Sequence, residues 1–98
     1  MYEIRMTVQF EAWLRGLRSE VIQVRIAARF PHVAKGNLGD CKPVGQGVFE
    51  LRYHFGPGYR VYFTRRGNSI ILLLAGGEKS TQSRDIATAI SLANLENG

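Results

Sequence analysis

The segment "ELRYHFGPGYRVYF", residues 50–63, has the pattern of two β-strands joined by a Gly-Pro-Gly bend. Apolar and polar residues alternate in both arms, as they do in a strand with one buried face. Arg52 and Arg60 occupy polar positions in the two arms. A four-residue loop would pair His54 with Tyr59 and place the two arginines on opposite faces, so a shared face requires a five-residue loop or a bulge. We predict a hairpin that buries one face and presents both arginines on the other.

Outside the hairpin, the apolar spacing changes several times along the chain. Residues 2–10 alternate as a strand does, and residues 10–17 and 19–30 have the spacing of helices. A short edge strand is predicted around residues 41–44, within a stretch rich in glycine. Pro31 cannot lie inside a regular helix, so the second helix is expected to stop or kink there.

The C-terminal third completes the order of elements. "SIILLLA", residues 69–75, is almost wholly apolar, which is typical of a central strand covered on both faces. Residues 80–98 are predicted to form the last helix. Sequential strands joined by tight turns indicate an α+β fold, a compact antiparallel β-sheet flanked by helices, in the order β-α-α-β-β-β-β-α.

Composition limits the class of protein. The chain has 98 residues, which predicts a single domain over residues 1–98. Cys41 is a lone cysteine, which favours a reducing, cytoplasmic setting. The longest apolar run, residues 70–75, is far shorter than the ~20 residues of a membrane helix, so no membrane partner is expected. His32 and His54 lack metal-ligand spacing, and we expect no metal and no other cofactor.

The charge is positive and unevenly distributed. The net charge is +5, ten of the thirteen basic residues are arginine, and residues 1–66 carry the excess. This predicts a polyanionic or acidic partner, because arginine favours bidentate contacts with phosphate or carboxylate. Arg18, Arg25 and Arg29 are spaced to form one stripe on the second predicted helix. That stripe is either a solvated helix face or a track for a nucleic-acid backbone.

The polar face of the hairpin is the candidate site. If the apolar faces of both strands enter one core, their polar faces share one open surface of the sheet. The residues on that surface are then Glu50, Arg52, His54, Arg60 and Tyr62. Either the glutamate neutralises one arginine on a solvated face, or the cluster holds a phosphate.

The segment "AGGEKSTQ", residues 75–82, supports the phosphate interpretation. Gly76 and Gly77 would let the backbone approach a ligand, Lys79 adds a cation, and residues 80–82 would offer N–H groups at a helix start. Because these cations would repel one another, we expect Arg60→Ala to be at least as stable as the parent.

Four blocks together resemble the addiction-module killer proteins, the HigB/RelE-like toxins of bacterial type II toxin–antitoxin systems. They are "WLRGL" at 13–17, "GNLGDCKPVG" at 36–45, "ELRYHFGPGYRVYF" at 50–63 and "LLLAGGEKSTQSRDI" at 72–86. The blocks are spread over nearly the whole chain. The resemblance implies a RelE-like fold, which agrees with the order of elements given above.

The resemblance also implies an activity, that of a ribosome-dependent mRNA endoribonuclease. Such toxins cut A-site mRNA without a metal: the ribose 2′-OH attacks its own 3′-phosphate, and the 5′-oxygen leaves. Arg60 matches the sheet arginine that contacts the scissile phosphate, Arg52 matches a basic position on the next strand, and Lys79 falls near the basic residue after the last strand. Relatives with a C-terminal tyrosine or histidine use it as acid or base. Residues 82–89 contain neither, which leaves Tyr62, His54 and Glu50 as substitutes.

A set of basic and polar residues is assigned to RNA binding, and the resemblance implies the partners. The residues assigned to RNA binding are Lys42, Arg18, Arg25, Arg29, Gln82 and Arg84. The implied partners are the ribosome with its A-site mRNA and a cognate antitoxin that binds DNA and is encoded by an adjacent gene. Two alternatives stay open: a ParE-like inhibitor of DNA gyrase without nuclease activity, and a decayed toxin that only binds its antitoxin and operator.

Overall fold

The computed structural model describes the backbone of residues 1–97 and the side chains of residues 1–95, so Gly98 of the predicted last helix lies outside the described residues. The predicted α+β class is confirmed. The strands are β1 (Glu3–Met6), β2 (Cys41–Gly45), β3 (Val48–Arg52), β4 (Tyr59–Arg66) and β5 (Ile70–Glu78). The helices are α1 (Val8–Arg15), α2 (Glu20–Ala27), α3 (Phe30–Ala34) and α4 (Gln82–Asn97), and a 3₁₀ turn, Lys79–Thr81, precedes the last of them.

The five strands form one sheet in the order β1-β5-β4-β3-β2. Its neighbours are antiparallel except β1 and β5, which are parallel, so the sheet is mixed rather than wholly antiparallel. Parallel neighbours need a long crossover, and here the three helices and three strands between β1 and β5 provide it. The edge strand predicted around residues 41–44 is confirmed as β2.

The predicted second helix is divided into two. It ends at Ala27, and a short helix, α3, begins at Phe30 with Pro31 in its first turn. Proline is tolerated there because the first turn of a helix has no use for its missing N–H. The prediction that the helix stops or kinks near Pro31 is therefore confirmed.

Strand β5 is buried on both faces, as its apolar sequence predicts. Ile71 and Leu73 enter a core formed with α1, α2 and α3, whereas Leu72 and Leu74 enter a second core under α4. The two layers of helices therefore cover opposite faces of the sheet. No helix of the described residues is both long and apolar enough to cross a membrane.

The β3–β4 hairpin has the register that a shared arginine face requires. Arg52 lies opposite Arg60, and the Tyr53 N–H donates to the Tyr59 carbonyl at 3.0 Å. The loop is thus the five residues 54–58, which is one of the two alternatives, a five-residue loop or a bulge, that the sequence left open. Gly58 adopts a positive φ of 78°, a conformation that favours glycine.

The space beside the two adjacent glycines of β5 is filled by side chains of the protein itself. The prediction that these glycines let the backbone approach a ligand is therefore wrong. A Cβ at Gly76 would lie 2.2 Å from the indole Cε3 of Trp13, and a Cβ at Gly77 would lie 1.8 Å from Oδ2 of Asp85. Each glycine therefore makes room for a side chain from a helix, α1 on one face and α4 on the other.

We predict that Gly76→Ala destabilises the protein by about 1–3 kcal/mol or more, because the new methyl group overlaps the Trp13 ring. Chemical denaturation measures the free energy of unfolding. In a Trp13→Leu background the same substitution should cost less, because the overlapping ring is gone. An equal cost in both backgrounds would show that the close approach of the ring is not what requires glycine.

Candidate functional site

A groove of about 470 Å³ lies where the hairpin loop meets the start of α4. Four basic side chains contribute to its walls, from three strands and the 3₁₀ turn. Its lining residues are Lys42, Arg52, Tyr53, His54, Gly56, Pro57, Gly58, Arg60, Lys79 and Gln82. An adjoining hollow of about 430 Å³, lined by residues 79–84, adds Arg84 and two serines. Such a concentration of cations can bind an anion.

Arg60 lies at the base of the groove and is 7% exposed. Its Nη1 donates to the carbonyls of Gly58 at 3.0 Å and Tyr59 at 3.1 Å. Its Nε lies 3.9 Å from Oε1 of Glu50, and within the described residues neither atom has a hydrogen-bond partner. Gly58 packs closely against this corner of the groove, since a Cβ there would lie 3.4 Å from Nη1 and 3.3 Å from the Lys79 Cβ.

Glu50 and Tyr62 form a buried network under the first turn of α4. The Tyr62 hydroxyl donates to Glu50 Oε2 at 3.0 Å, and Gln82 Nε2 donates to the same oxygen at 2.8 Å. Burial and the neighbouring carboxylate raise the pKa of Tyr62.

The prediction that Glu50 and Tyr62 share an open surface with the arginines is therefore wrong, because both side chains are fully buried. Strand alternation identified a polar face but could not show that α4 covers part of it. Neither residue lines the groove, which leaves both without access to a bound substrate.

Asp40 organises the rim of the groove and was missed by the sequence analysis. Its carbonyl accepts from the Arg52 N–H at 2.9 Å. Its Oδ2 contacts the Nε2 of His54 and lies 3.4 Å from the Arg52 Nε. The hydrogen bond from His54, together with the Arg52 charge, lowers the pKa of Asp40. A β2–β3 pairing could have identified it, since Cys41 opposes Leu51 and so places Asp40 beside Arg52.

The predicted stripe of Arg18, Arg25 and Arg29 does not form. Arg29 donates to the carbonyls of Arg52 at 2.5 Å and Leu38 at 2.8 Å, and Arg25 stacks 3.8 Å from the centre of the Phe55 ring. Because α2 ends at Ala27, Arg29 is directed towards the sheet instead of continuing the helix face. Arg25 and Arg29 thus make contacts within the protein, while Arg18 is exposed ahead of α2.

The remaining predicted site residues lie in or beside the groove. Lys42 and Lys79 are exposed on its walls, and Gln82 lines it while donating to Glu50. Arg84 is exposed in the adjoining hollow, with its Nε 3.6 Å from Asp85 Oδ1. The structure therefore brings six of the predicted residues to one groove. They are Lys42, Arg52, His54, Arg60, Lys79 and Gln82, and their functional roles stay predictions.

Comparison with known proteins gives a family and a fold. The chain is 43% identical over 91 residues to an uncharacterized protein of Haemophilus influenzae, covering 93% of this chain and 92% of the relative. No family model matches the sequence.

Two solved structures share the fold. One is a free mutant of the Escherichia coli toxin RelE, with a TM-score of 0.75, 13% identity and coverage of 92% of this chain and 95% of that one. The other is the Mycobacterium tuberculosis RelBE2 toxin–antitoxin complex, with a TM-score of 0.63, 18% identity and coverage of 80% and 98%. The RelE-like fold implied by the sequence blocks is confirmed.

The buried position of Arg60 changes what its removal should do to stability. The sequence led us to expect that Arg60→Ala would be at least as stable as the parent, because the clustered cations would repel one another. We now predict that this substitution destabilises the protein by up to about 3–5 kcal/mol, because it leaves the buried Glu50 carboxylate without its counterion. Urea unfolding measures the change.

Two further variants test the cause of that change. Adding Glu50→Gln to Arg60→Ala should recover part of the loss, because it removes the uncompensated charge. Arg18→Ala is the matched control, and as an exposed arginine it should stay within about 0.5 kcal/mol of the parent. Parental stability of Arg60→Ala would contradict the pairing with Glu50.

Proposed function

We propose that this chain, which belongs to the family of the Haemophilus influenzae relative and has the RelE fold, is the toxin of a type II toxin–antitoxin module. We further propose that it is a ribosome-dependent endoribonuclease that cuts mRNA in the A site. The observation that carries this proposal is the cationic groove, in which Arg52, Arg60 and Lys79 come together at the end of the hairpin.

The groove suits a phosphate whose negative charge grows during reaction. When the 2′-oxygen attacks the adjacent phosphorus, the phosphorane gains charge relative to the ground state, and fixed cations stabilise that charge most. Arg60 is well prepared for this role because its guanidinium already donates to two carbonyls and lies beside a buried carboxylate. Lys79 and Lys42 are exposed and can adjust to the RNA backbone.

The proposed partners follow from the same assignment. The Mycobacterium tuberculosis neighbour was solved as a toxin–antitoxin complex, and we propose that this chain likewise binds a cognate antitoxin encoded beside it. Acidic side chains of the antitoxin would cover the groove, because an uncovered cationic groove would bind RNA. The toxin would act in the cytoplasm, as a single domain, on mRNA held by the ribosome.

The protein should cleave mRNA in a purified translation reaction, with cuts mapped by primer extension. Lys79→Gln should slow cleavage by about 10²–10³-fold and leave the fold intact, because it removes one exposed cation from the groove. Lys35→Gln, an exposed lysine that does not line the groove, is the matched control and should cleave as the parent does. Intact mRNA would contradict the nuclease assignment, and gyrase-trapped DNA breaks would then support a ParE-like inhibitor.

Expression of the chain alone should arrest growth, and co-expression of the neighbouring reading frame should restore it. The reason is that an antitoxin seated on the groove would exclude the mRNA. Colony counts under independent promoters give the measurement. Growth arrest that persists with each adjacent gene co-expressed would contradict the proposed pairing, whatever the outcome of the cleavage reaction.

A further inference from the structure

Transfer of the 2′-OH proton requires a group that the substrate can reach. Glu50 and Tyr62 are fully buried beneath α4, so neither can receive this proton from a bound RNA. His54 lies at the rim of the groove with 68% of its side chain exposed. Of the described side chains that line the groove, it is the one whose residue type changes charge between about pH 5 and 8.

The imidazole of His54 is held by Asp40. The carboxylate Oδ2 accepts from the ring Nε2, and the same oxygen lies 3.4 Å from the Arg52 Nε. With the Nε2 proton directed to Asp40, the neutral ring has its lone pair on Nδ1, where it can accept a proton.

The position of Asp40 is itself fixed by the sheet and by a helix residue. Its carbonyl accepts from the Arg52 N–H at 2.9 Å and from the Arg29 Nη2 at 3.3 Å. Arg29 also donates to Leu38, two residues before the aspartate. The segment that carries Asp40 is therefore anchored at several backbone points, which orients the carboxylate towards His54.

We propose that His54 is the proton-transfer residue of the groove and that Asp40 is its positioning residue. This inference rests on the proposed nuclease function. In the step, His54 Nδ1 takes the 2′-OH proton, the 2′-oxygen forms a bond to phosphorus, and the bond from phosphorus to the 5′-oxygen breaks. The 5′-oxygen takes a proton from water and His54 returns its proton to solvent, so the products are a 2′,3′-cyclic phosphate and a 5′-hydroxyl.

This assignment gives a definite dependence on pH. The charged groups that face His54 are Asp40 ahead of β2, Lys42 on β2, Arg52 on β3, Arg60 on β4 and Lys79 on the 3₁₀ turn. A protonated imidazole has no lone pair to accept the 2′-OH proton. Cleavage should therefore fall under acidic conditions, which protonate the base that the step requires.

The experiment measures single-turnover cleavage of a defined ribosome-bound mRNA at saturating protein, between about pH 5.5 and 8. His54→Gln should lose about 10²-fold or more of the rate and should lose the acidic fall in rate, since general base catalysis contributes this much. Asp40→Asn should lose less of the cleavage rate and should retain the fall in rate at acidic pH. It should leave the half-saturating protein concentration nearly unchanged. His32→Gln, the other histidine of the chain, is the matched control and should match the parent.

The outcomes separate the inference from the function on which it rests. If the parent cleaves and His54→Gln cleaves at the same rate with the same pH profile, the assignment of His54 is overturned and the nuclease proposal stands. If Asp40→Asn matches the parent in rate while His54→Gln is inactive, the positioning role of Asp40 is overturned. If the parent leaves mRNA intact at each pH, the nuclease proposal fails and the inference fails with it. Thermal melts of all variants identify any rate lost through unfolding.

Discussion

The rest of this structure depends on one buried carboxylate, that of Glu50. It has no exposure to solvent, yet it accepts hydrogen bonds from β4 through Tyr62 and from α4 through Gln82, and it lies beside the Arg60 guanidinium. A carboxylate buried without partners is very costly, so these groups must stay in place for the fold to be stable. The seating of α4 and the position of the central arginine are therefore coupled through a single residue.

Under the proposed function, this coupling places stability and catalysis at the same atoms. Glu50 compensates the charge of Arg60 from below, while the groove leaves the other side of the cluster open to an anion. A cation held in this way loses little conformational freedom on binding, which favours stabilisation of a transition state. The Glu50 counterion also stabilises the buried arginine in the free protein, before any substrate binds.

The rim of the groove formed by Asp40 and His54 is supported by residues on the other face of the sheet. Arg29, which stacks 4.5 Å from the centre of the Tyr53 ring, connects the α2–α3 corner to the segment before β2 and so fixes Asp40. Tyr53 adds to this support, because its hydroxyl donates to the Ile26 carbonyl at 2.8 Å and its burial raises its pKa to about 12. Both layers of helices thus contribute to one site, although neither layer supplies most of its charge.

The sequence by itself determined the α+β class, the shared arginine face of the hairpin and the two-sided burial of β5, because each follows from local periodicity and turn chemistry. It also identified all four basic residues that line the groove. Only the tertiary structure decided that α4 covers Glu50, that Trp13 and Asp85 occupy the space at the paired glycines, and that Asp40 reaches His54. These are contacts between residues far apart in the chain, and alternation along one strand records which face is polar but not which element will cover it.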